Sequence, residues 1–417
     1  MKYWQKAIKI QVLSLIIGLM VSQSLFVNRC HAQNFTFEGS IKKNSLNFDF
    51  IKNLIIIPIY INDKGPFNFI LDTGVGPLVI TDPILKDSLS IKGTRSVKIN
   101  GFGEGDEIDA FLTNNVSVKV ADANIATIPT VIFKKDFFNL SGYVGKKIYG
   151  LIGYNFFNSF LVRINYVQKK LHFSVNNGKT KLRGEKIPLE FFDNKPYINI
   201  KVETSQTGLI NAKVIVDCGA SHALSLEAYN NNNFPIPSPN IYGNLGVGLS
   251  GEISGHIGRV KTLQIGRFQL KNVLTNFPKY SDVVTKVRVK ERNGNLGSEI
   301  LSRFNVTFDY KNGNMYLERN NHYWIPFEHD MSGIEIYMTD KPYTRYFISR
   351  LETDSPAEKG GLLVDDEITS INFKPIYSYS LDDISNLFKS NDGQAVLIEI
   401  WRKDRTIVKL IRLKRRV

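Results

Sequence analysis

Two short stretches hold the acidic residues best placed to do chemistry. "FILDTGVG" closes an apolar run at Asp72, and "VIVDCGAS" does the same at Asp217, 145 positions later. An aspartate that follows a buried strand and precedes permissive residues sits on a tight turn, where its side chain can cap the backbone. Taken singly, either is an ordinary turn residue. Facing each other across an axis of pseudo-symmetry, the two would bring their carboxyls together. Like charges about 3 Å apart do not both ionise, so such a pair shares a proton and titrates in two separated steps. One member then serves as base toward a trapped water while the other donates to a carbonyl oxygen, which is amide hydrolysis without a covalent intermediate.

Other residues offer rival chemistry. Cys218 as a nucleophile requires an imidazole base, and His222 is the nearest in sequence, but nothing else there activates the thiol. His172, His256, His322 and His329 are scattered, with neither Cys-x-x-Cys nor His-Glu-x-x-His spacing for zinc. "GVGLSG", Gly246 to Gly251, satisfies the Gly-x-Gly-x-x-Gly pattern of dinucleotide sites. That motif needs a strand before it and a helix after it, whereas "EISGHIGRVKTLQIG" reads as turns and strands, so a hairpin is expected.

The elements that must position the aspartates repeat along the chain. Gly101 and Gly103 in "GFGEG" recur as Gly246 and Gly248, again 145 apart. "LIGYNFFNSFLVRINY" finds its counterpart in "LGSEILSRFNVTFDY", with Gly153 to Gly297, Phe160 to Phe304 and Tyr166 to Tyr310 each 144 apart. Three landmarks in one order imply two copies of one fold. Runs such as "NLIIIPIYI", "PTVIF", "YINIKV" and "AKVIV" predict strands. One short helix is expected after each of Gly153 and Gly297, with residues 174–190 as the connection between copies. After Arg319 the pattern changes. In "SLDDISNLFKS" Ser380 and Asp383 predict a capping box at the start of a helix with Ile384, Leu387 and Phe388 on one face. A third, smaller domain is therefore expected to begin near Phe327.

The two Asp-[Thr/Cys]-Gly turns, each with a later apolar-apolar-glycine stretch, resemble the retropepsin-like and pepsin-like aspartic proteases over residues 45–319. The resemblance implies a mainly β chain in which two pseudo-symmetric β-barrel lobes, 33–175 and 176–320, form one bilobal protease. Asp72 and Asp217 match its catalytic pair, and Gly74 and Gly219 its turn glycines. Thr73 matches the residue whose hydroxyl bonds across the lobe interface, while Gly153 and Gly297 match the glycines behind the turns. Gly101, Phe102 and Gly103 in one copy, and Gly246, Val247 and Gly248 in the other, stand where the substrate-covering flap would be. Three positions depart from the family. Cys218 replaces a threonine or serine, and a thiol is a weak donor that would weaken half of the reciprocal bond, by about 1 kcal/mol. Phe102 and Val247 replace the flap tyrosine, and Val75 replaces an alanine. "DSPAEKGGLLVDDEITSINFKPI" resembles the PDZ domains of exported bacterial proteases, which implies a PDZ-like domain over 327–417. Its backbone amides at Gly333 and Ile334 would receive a peptide carboxylate. Val364-Asp365-Asp366 departs from the glycine that often precedes the aspartate.

The 417 residues and near-average apolar and charged fractions, 43% and 22%, fit a folded multidomain chain. Lys2, Lys6 and Lys9, then an apolar run from Val12 to Val27, then Cys30-His31-Ala32, have the layout of a secretory signal peptide over 1–32. Export to the periplasm or beyond is expected, without a stable membrane span. Cleavage would leave Cys218 with no partner for a disulfide, and would leave +10 of the +14 formal charge once Lys2, Lys6, Lys9 and Arg29 are gone. The basic tail "KLIRLKRRV" alternates like a terminal edge strand rather than a nucleic-acid site. The expectation is a monomeric exported aspartic endopeptidase acting on polypeptides, needing no metal or organic cofactor. A catalytically silent peptide-binding protein on the same scaffold is the alternative.

Overall fold

In the computed structural model the described residues are 34–99, 107–178, 180–206, 208–230, 232–248, 251–279, 292–339 and 343–417. The leader-like segment 1–32 and the stretch Gly101, Phe102 and Gly103 lie outside them. The strand Lys64–Leu71, apolar at its far end, leads into Asp72 and pairs in parallel with Gly150–Ile152. Gly150–Ile152 pairs antiparallel with Leu78–Ile80, which pairs in parallel with Thr130–Phe133. The second copy repeats this order. Leu209–Val216 leads into Asp217 and pairs in parallel with Arg292–Leu296, which pairs antiparallel with Leu224–Leu226, itself parallel to Phe268–Pro278. The same chain path twice accounts for the nearly constant offset between the landmarks.

A third sheet belongs to both copies. Its order is Glu185–Pro188, Asn314–Arg319, Phe304–Asp309, Leu161–Asn165, Lys170–Ser174, Lys43–Asn47. At its centre the equivalent strands pair antiparallel, Val162 with Phe308 and Ile164 with Val306, so the pseudo-dyad passes between them. Phe157, Phe308 and Tyr310 pack ring to ring beneath it. The connection expected over 174–190 is in fact shorter. Glu185–Pro188 and Glu190–Phe192 are strands, because Ile187 and Leu189 supply apolar side chains to the core.

Helices follow Gly153 and Gly297 as expected, at Tyr154–Ser159 and Ser298–Leu301. Two further short helices, Ile84–Ser88 and Leu140–Val144, stand in the first copy only among the described residues. The second is fixed by its ends. The Asn139 side chain accepts from Gly142 N–H, and Gly145 terminates the turn at φ 75°. One apolar core runs from Phe35 to Phe327 and a second from Met331 to Leu413, within a single compact unit, Asn34–Val417.

The second core belongs to a sheet ordered Ile334–Thr339, Arg345–Leu351, Glu367–Ile371, Ala395–Arg402, Arg405–Arg412. The helix Leu381–Phe388 covers it, with the Ser380–Asp383 capping box formed. Asp365 takes φ 68°, the left-handed conformation that explains why glycine suits this position. The last strand lies at the sheet edge with Ile411 buried and Val408 and Leu410 exposed, and Leu413 just beyond it is buried. No described helix is long and apolar enough to cross a membrane.

Candidate active site

The two aspartate turns meet on the pseudo-dyad, and their glycines show how closely. A β carbon built on Gly219 would lie 2.1 Å from Asp72 Cγ, and one built on Gly74 would lie 3.0 Å from both Asp217 Cγ and Asp72 Oδ1. Each turn glycine is thus pressed against the opposite carboxyl: at Gly219 a larger residue would displace Asp72, and at Gly74 even a methyl group would be tight. Behind the first turn, a β carbon on Gly153 would lie 1.9 Å from the Asp72 carbonyl oxygen. Each aspartate also caps its own turn, Asp72 Oδ1 accepting from Gly74 N–H at 2.6 Å and Asp217 Oδ1 from Gly219 N–H at 2.9 Å.

Thr73 and Cys218 lock the turns together. Thr73 Oγ1 donates to the Val216 carbonyl at 2.7 Å and accepts from Cys218 N–H at 2.9 Å. Cys218 Sγ reproduces both contacts in the other direction, donating to the Leu71 carbonyl at 3.2 Å and accepting from Thr73 N–H at 3.3 Å. The sulfur half is present, longer than the hydroxyl half as the larger sulfur atom requires, and weaker because a thiol is a weak donor and acceptor. Burial, then the Asp72 charge, pushes the Cys218 thiol well above the usual range. With its proton given to a carbonyl and no base hydrogen-bonded to it among the described residues, this thiol is not placed as a nucleophile. His222 stands in the loop after Asp217 and does not reach Cys218 by any hydrogen bond among the described residues.

The carboxyls are not equivalent. Asp72 is 7% exposed, while Asp217 is only partly buried. Burial, then the Asp217 charge and a side-chain hydrogen bond with Asp217, raises Asp72 well above the usual carboxylate range. Asp217 has an additional donor, since Asn295 Nδ2 gives its hydrogen to Oδ2 at 2.7 Å. Asn295 lies on the strand Arg292–Leu296, just ahead of Gly297. Its Oδ1 and His222 Nε2 are both buried without a regular hydrogen-bond partner among the described residues. The Asn295 side chain is nonetheless near enough to favour the His222 imidazolium, although burial outweighs it and lowers His222. The positions equivalent to Asn295 and His222 in the first copy are Leu151 and Pro77. In the sequence Asn295 is hidden beside an apolar-apolar-glycine stretch and does not stand out as a site residue. An asparagine there, where the first copy has leucine, is the signal that could have found it.

A second symmetric feature has no motif to announce it. Asp82 Oδ2 pairs with Lys147 at 2.6 Å, and Glu227 Oε1 pairs with Arg292 at 2.7 Å, each residue of the second pair 145 positions beyond its counterpart. The first pair is partly exposed at the lysine, 44%, whereas both members of the second are buried.

Of the flap residues, Gly246, Val247 and Gly248 fall at the end of a long hairpin in which Asn240–Gly248 pairs antiparallel with Gly251–Ile265. A bulge between Asn244 and Gly246, with φ 127° at Gly246, bends the strand before its tip. In the first copy Arg95–Ile99 and Ile108–Thr113 pair antiparallel, and Gly101, Phe102 and Gly103 lie outside the described residues. Gly333 and Ile334 lie where the C-terminal sheet begins, and Ile334 packs into that sheet's own core rather than the one beneath the carboxyl pair. Their N–H groups are already used, Gly333 donating to Asp330 Oδ1 at 2.9 Å and Ile334 to Ser332 Oγ at 3.0 Å. This departs from the expectation that both amides await a peptide carboxylate.

A family model described as aspartyl protease matches residues 57–156, and one described as PDZ domain matches residues 347–402. The first match covers the Asp72 copy, and the Asp217 copy is tied to it by the repeat and the shared strand order. No curated protein matches the chain. Among solved structures, the crystal structure of aspartic proteinase from Irpex lacteus is similar with a TM-score of 0.42 at 10% identity, over 68% of this chain and 99% of that one.

Proposed function

We propose that this chain, which carries an aspartyl protease domain followed by a PDZ domain, is an endopeptidase that activates water between Asp72 and Asp217. The observation that carries the reading is the contact of the two turns, each glycine against the opposite carboxyl, with the carboxyls differently supported. Asp217, bonded by Gly219 N–H and Asn295 Nδ2, is suited to hold the negative charge. Asp72, buried and raised, is suited to hold the shared proton. Asp217 draws a proton from water as its oxygen attacks the peptide carbonyl carbon, and Asp72 gives its proton to the carbonyl oxygen. Collapse of the tetrahedral diol returns the first proton to the leaving nitrogen and the second to Asp72, so both carboxyls regain their starting states. The PDZ domain supports a role in recruiting or gating polypeptide, and the leader-like N-terminal segment supports export.

The test is to incubate protein lacking residues 1–32 with a mixed peptide library across pH 3 to 8, with and without an aspartic-protease inhibitor. Inhibitor-sensitive cleavage, lost in both Asp72→Asn and Asp217→Asn, is expected. Cleavage that survives both substitutions would remove the mechanism, and a complete lack of cleavage by the parent would favour the silent binding scaffold.

A further inference from the structure

An antiparallel sheet that meets water on one face ordinarily carries polar side chains there, and the C-terminal sheet departs from that pattern. Cross-strand register sorts its residues. Tyr346, Ile368, Ile400 and Ile407 form one row across four strands and pack on the core, so the adjacent row, Phe347, Glu367, Trp401 and Thr406, faces away from it. On the last two strands the outward set continues with Glu399 opposite Val408 and Leu397 opposite Leu410. Trp401 is thus the diagonal neighbour of Val408, within reach of a long side chain. Leu410 is 55% exposed, Val408 54% and Trp401 41%, so this outward face is apolar where alternation calls for polar groups, and such a patch marks an interaction surface.

The patch has a basic border. Lys403 and Arg405 flank Asp404 where the last two strands join, and Arg412 and Lys414 stand at the other end of the final strand. All four cations are exposed, and none forms an ion pair among the described residues. Their neighbours differ, since Arg402, Arg415 and Arg416 are bound to Asp366, Glu328 and Glu352. The acids of the face are mostly engaged. Glu367 accepts from Arg345 Nε at 2.8 Å and Glu399 from Thr369 Oγ1 at 2.8 Å, while Asp404 is exposed. Cations therefore outnumber acids along the border. A second copy of this chain would bring the same cations face to face, and a nucleic acid would set its phosphates against aliphatic side chains. An anionic bilayer surface suits both features, because lipid phosphates attract the cations while the boundary with the acyl chains accepts tryptophan and aliphatic groups.

We propose that the outward face of the last two strands docks the protein on an anionic lipid bilayer, with Trp401, Val408 and Leu410 at the headgroup boundary and Lys403, Arg405, Arg412 and Lys414 against lipid phosphates. The contact is peripheral and reversible, made by a folded sheet and not by a spanning segment. It shares no residue with the carboxyl pair, so it stands apart from the proteolytic reading and is tested by binding alone.

The test is vesicle co-sedimentation of protein lacking residues 1–32, whose apolar run would itself enter lipid; the remaining Asn34–Val417 is one compact unit with its own cores. Association is expected with phosphatidylcholine vesicles containing about 30% phosphatidylglycerol and not with phosphatidylcholine alone, and raising salt from about 0.05 to about 0.5 M should release the protein. Arg405→Gln combined with Arg412→Gln should weaken association about fivefold per cation removed. Val408→Ser combined with Leu410→Ser should weaken it at least about tenfold. In Trp324→Phe, Trp401 is the one tryptophan left after residue 32, and its emission should shift to the blue on anionic vesicles. Equal association with neutral and anionic vesicles, or none with either, would overturn the proposal. So would parent-like association by the Val408 and Leu410 double variant, which would mean plain attraction between a basic surface and a polyanion. A dimer in sedimentation velocity that this double variant dissolves would also overturn it, because a second copy would then cover the face. The comparison of vesicles uses the parent chain and stands even if a variant fails to fold.

Discussion

The two lobes share a backbone and divide the labour through side chains. Strand order, turn glycines and the position of one ion pair repeat at a nearly constant offset, so the scaffold that brings the carboxyls together is symmetric. What surrounds each carboxyl is not. Asn295 and His222 stand beside Asp217, whereas Leu151 and Pro77 occupy the matching positions of the first lobe, and the hydrogen bonds to Asp72 among the described residues come from its own turn amide and its partner carboxyl. A symmetric pair would leave the shared proton undecided. A polar donor on one side and burial on the other favour it on Asp72, which on the proposed mechanism would separate acid from base before substrate arrives.

The most forceful way to break the comparison is to remove either carboxyl. Asp72→Asn and Asp217→Asn are each expected to lower kcat by roughly 10²–10⁴-fold, since general acid and general base act in one step. A variant retaining more than a tenth of parental turnover would show that its lobe does not supply half of the chemistry. Next in size is the ion pair behind each turn. Glu227→Gln leaves a buried guanidinium short of its counter-charge and should cost about 3–5 kcal/mol of unfolding free energy. Asp82→Asn, whose Lys147 partner can turn into water, should cost no more than about 1 kcal/mol. Urea denaturation of the two variants reads the difference, and equal losses would mean that burial does not distinguish the pairs.

What the sequence disclosed, and what it concealed, follows from the range of the interactions. The turns at Asp72 and Asp217 were legible because close approach selects glycine next to the opposite carboxyl, and that selection leaves a mark in the letters. The capping box at Ser380 was legible because it is local. The strand Glu185–Pro188 was not, since its pairing with Asn314–Arg319 spans more than a hundred residues and its four letters, Glu-Lys-Ile-Pro, are too few to show a strand period. The helix Leu140–Val144 is a single turn whose glycine hides its period, although Asn139 and Gly145 mark its ends. Asn295 was concealed by the apolar pattern around it. The placing of Trp401 beside Val408 on one outward face depends on which strands pair and in what register, which no local pattern records.

Making the lobes alike at one side chain should sharpen the comparison. Asn295→Leu gives the second lobe the residue of the first and removes the donor to Asp217 Oδ2, so kcat should fall about tenfold with KM little changed. Asn295→Gln or Asn295→Asp would restore a polar group but not the same reach. If Asn295 acts by positioning the carboxyl and its charge, the pH–rate profile should move with the substitution; a purely structural role would lower stability and leave that profile in place. A smaller effect concerns stability and pH. Above about 3.8 the unfolded chain releases the Asp72 proton while the folded chain keeps it, so this site subtracts stability as pH rises until Asp72 itself ionises. An asparagine side chain in its place cannot ionise in either state. Asp72→Asn should therefore melt above the parent at pH 7, with the gap closing toward pH 3. A gap that widens on acidification would reverse the sign assigned to this carboxyl.

The least disruptive change restores the symmetry of the lock between turns. In Cys218→Thr a hydroxyl would replace the sulfur between the Leu71 carbonyl and Thr73 N–H, shortening two bonds that now measure 3.2 and 3.3 Å. The gain should be within about 1 kcal/mol in unfolding free energy, because both contacts already exist and only their strength changes. Turnover should then move by less than a few-fold. The parent thiol, buried and bonded, should resist iodoacetamide until the protein is unfolded. A large gain of proteolysis on Cys218→Thr would carry a different meaning, that the sulfur had loosened the turns enough to silence the pair. The near-complete reciprocal bonding in the present structure argues against that outcome, because an interface with all four contacts in place has little left to regain.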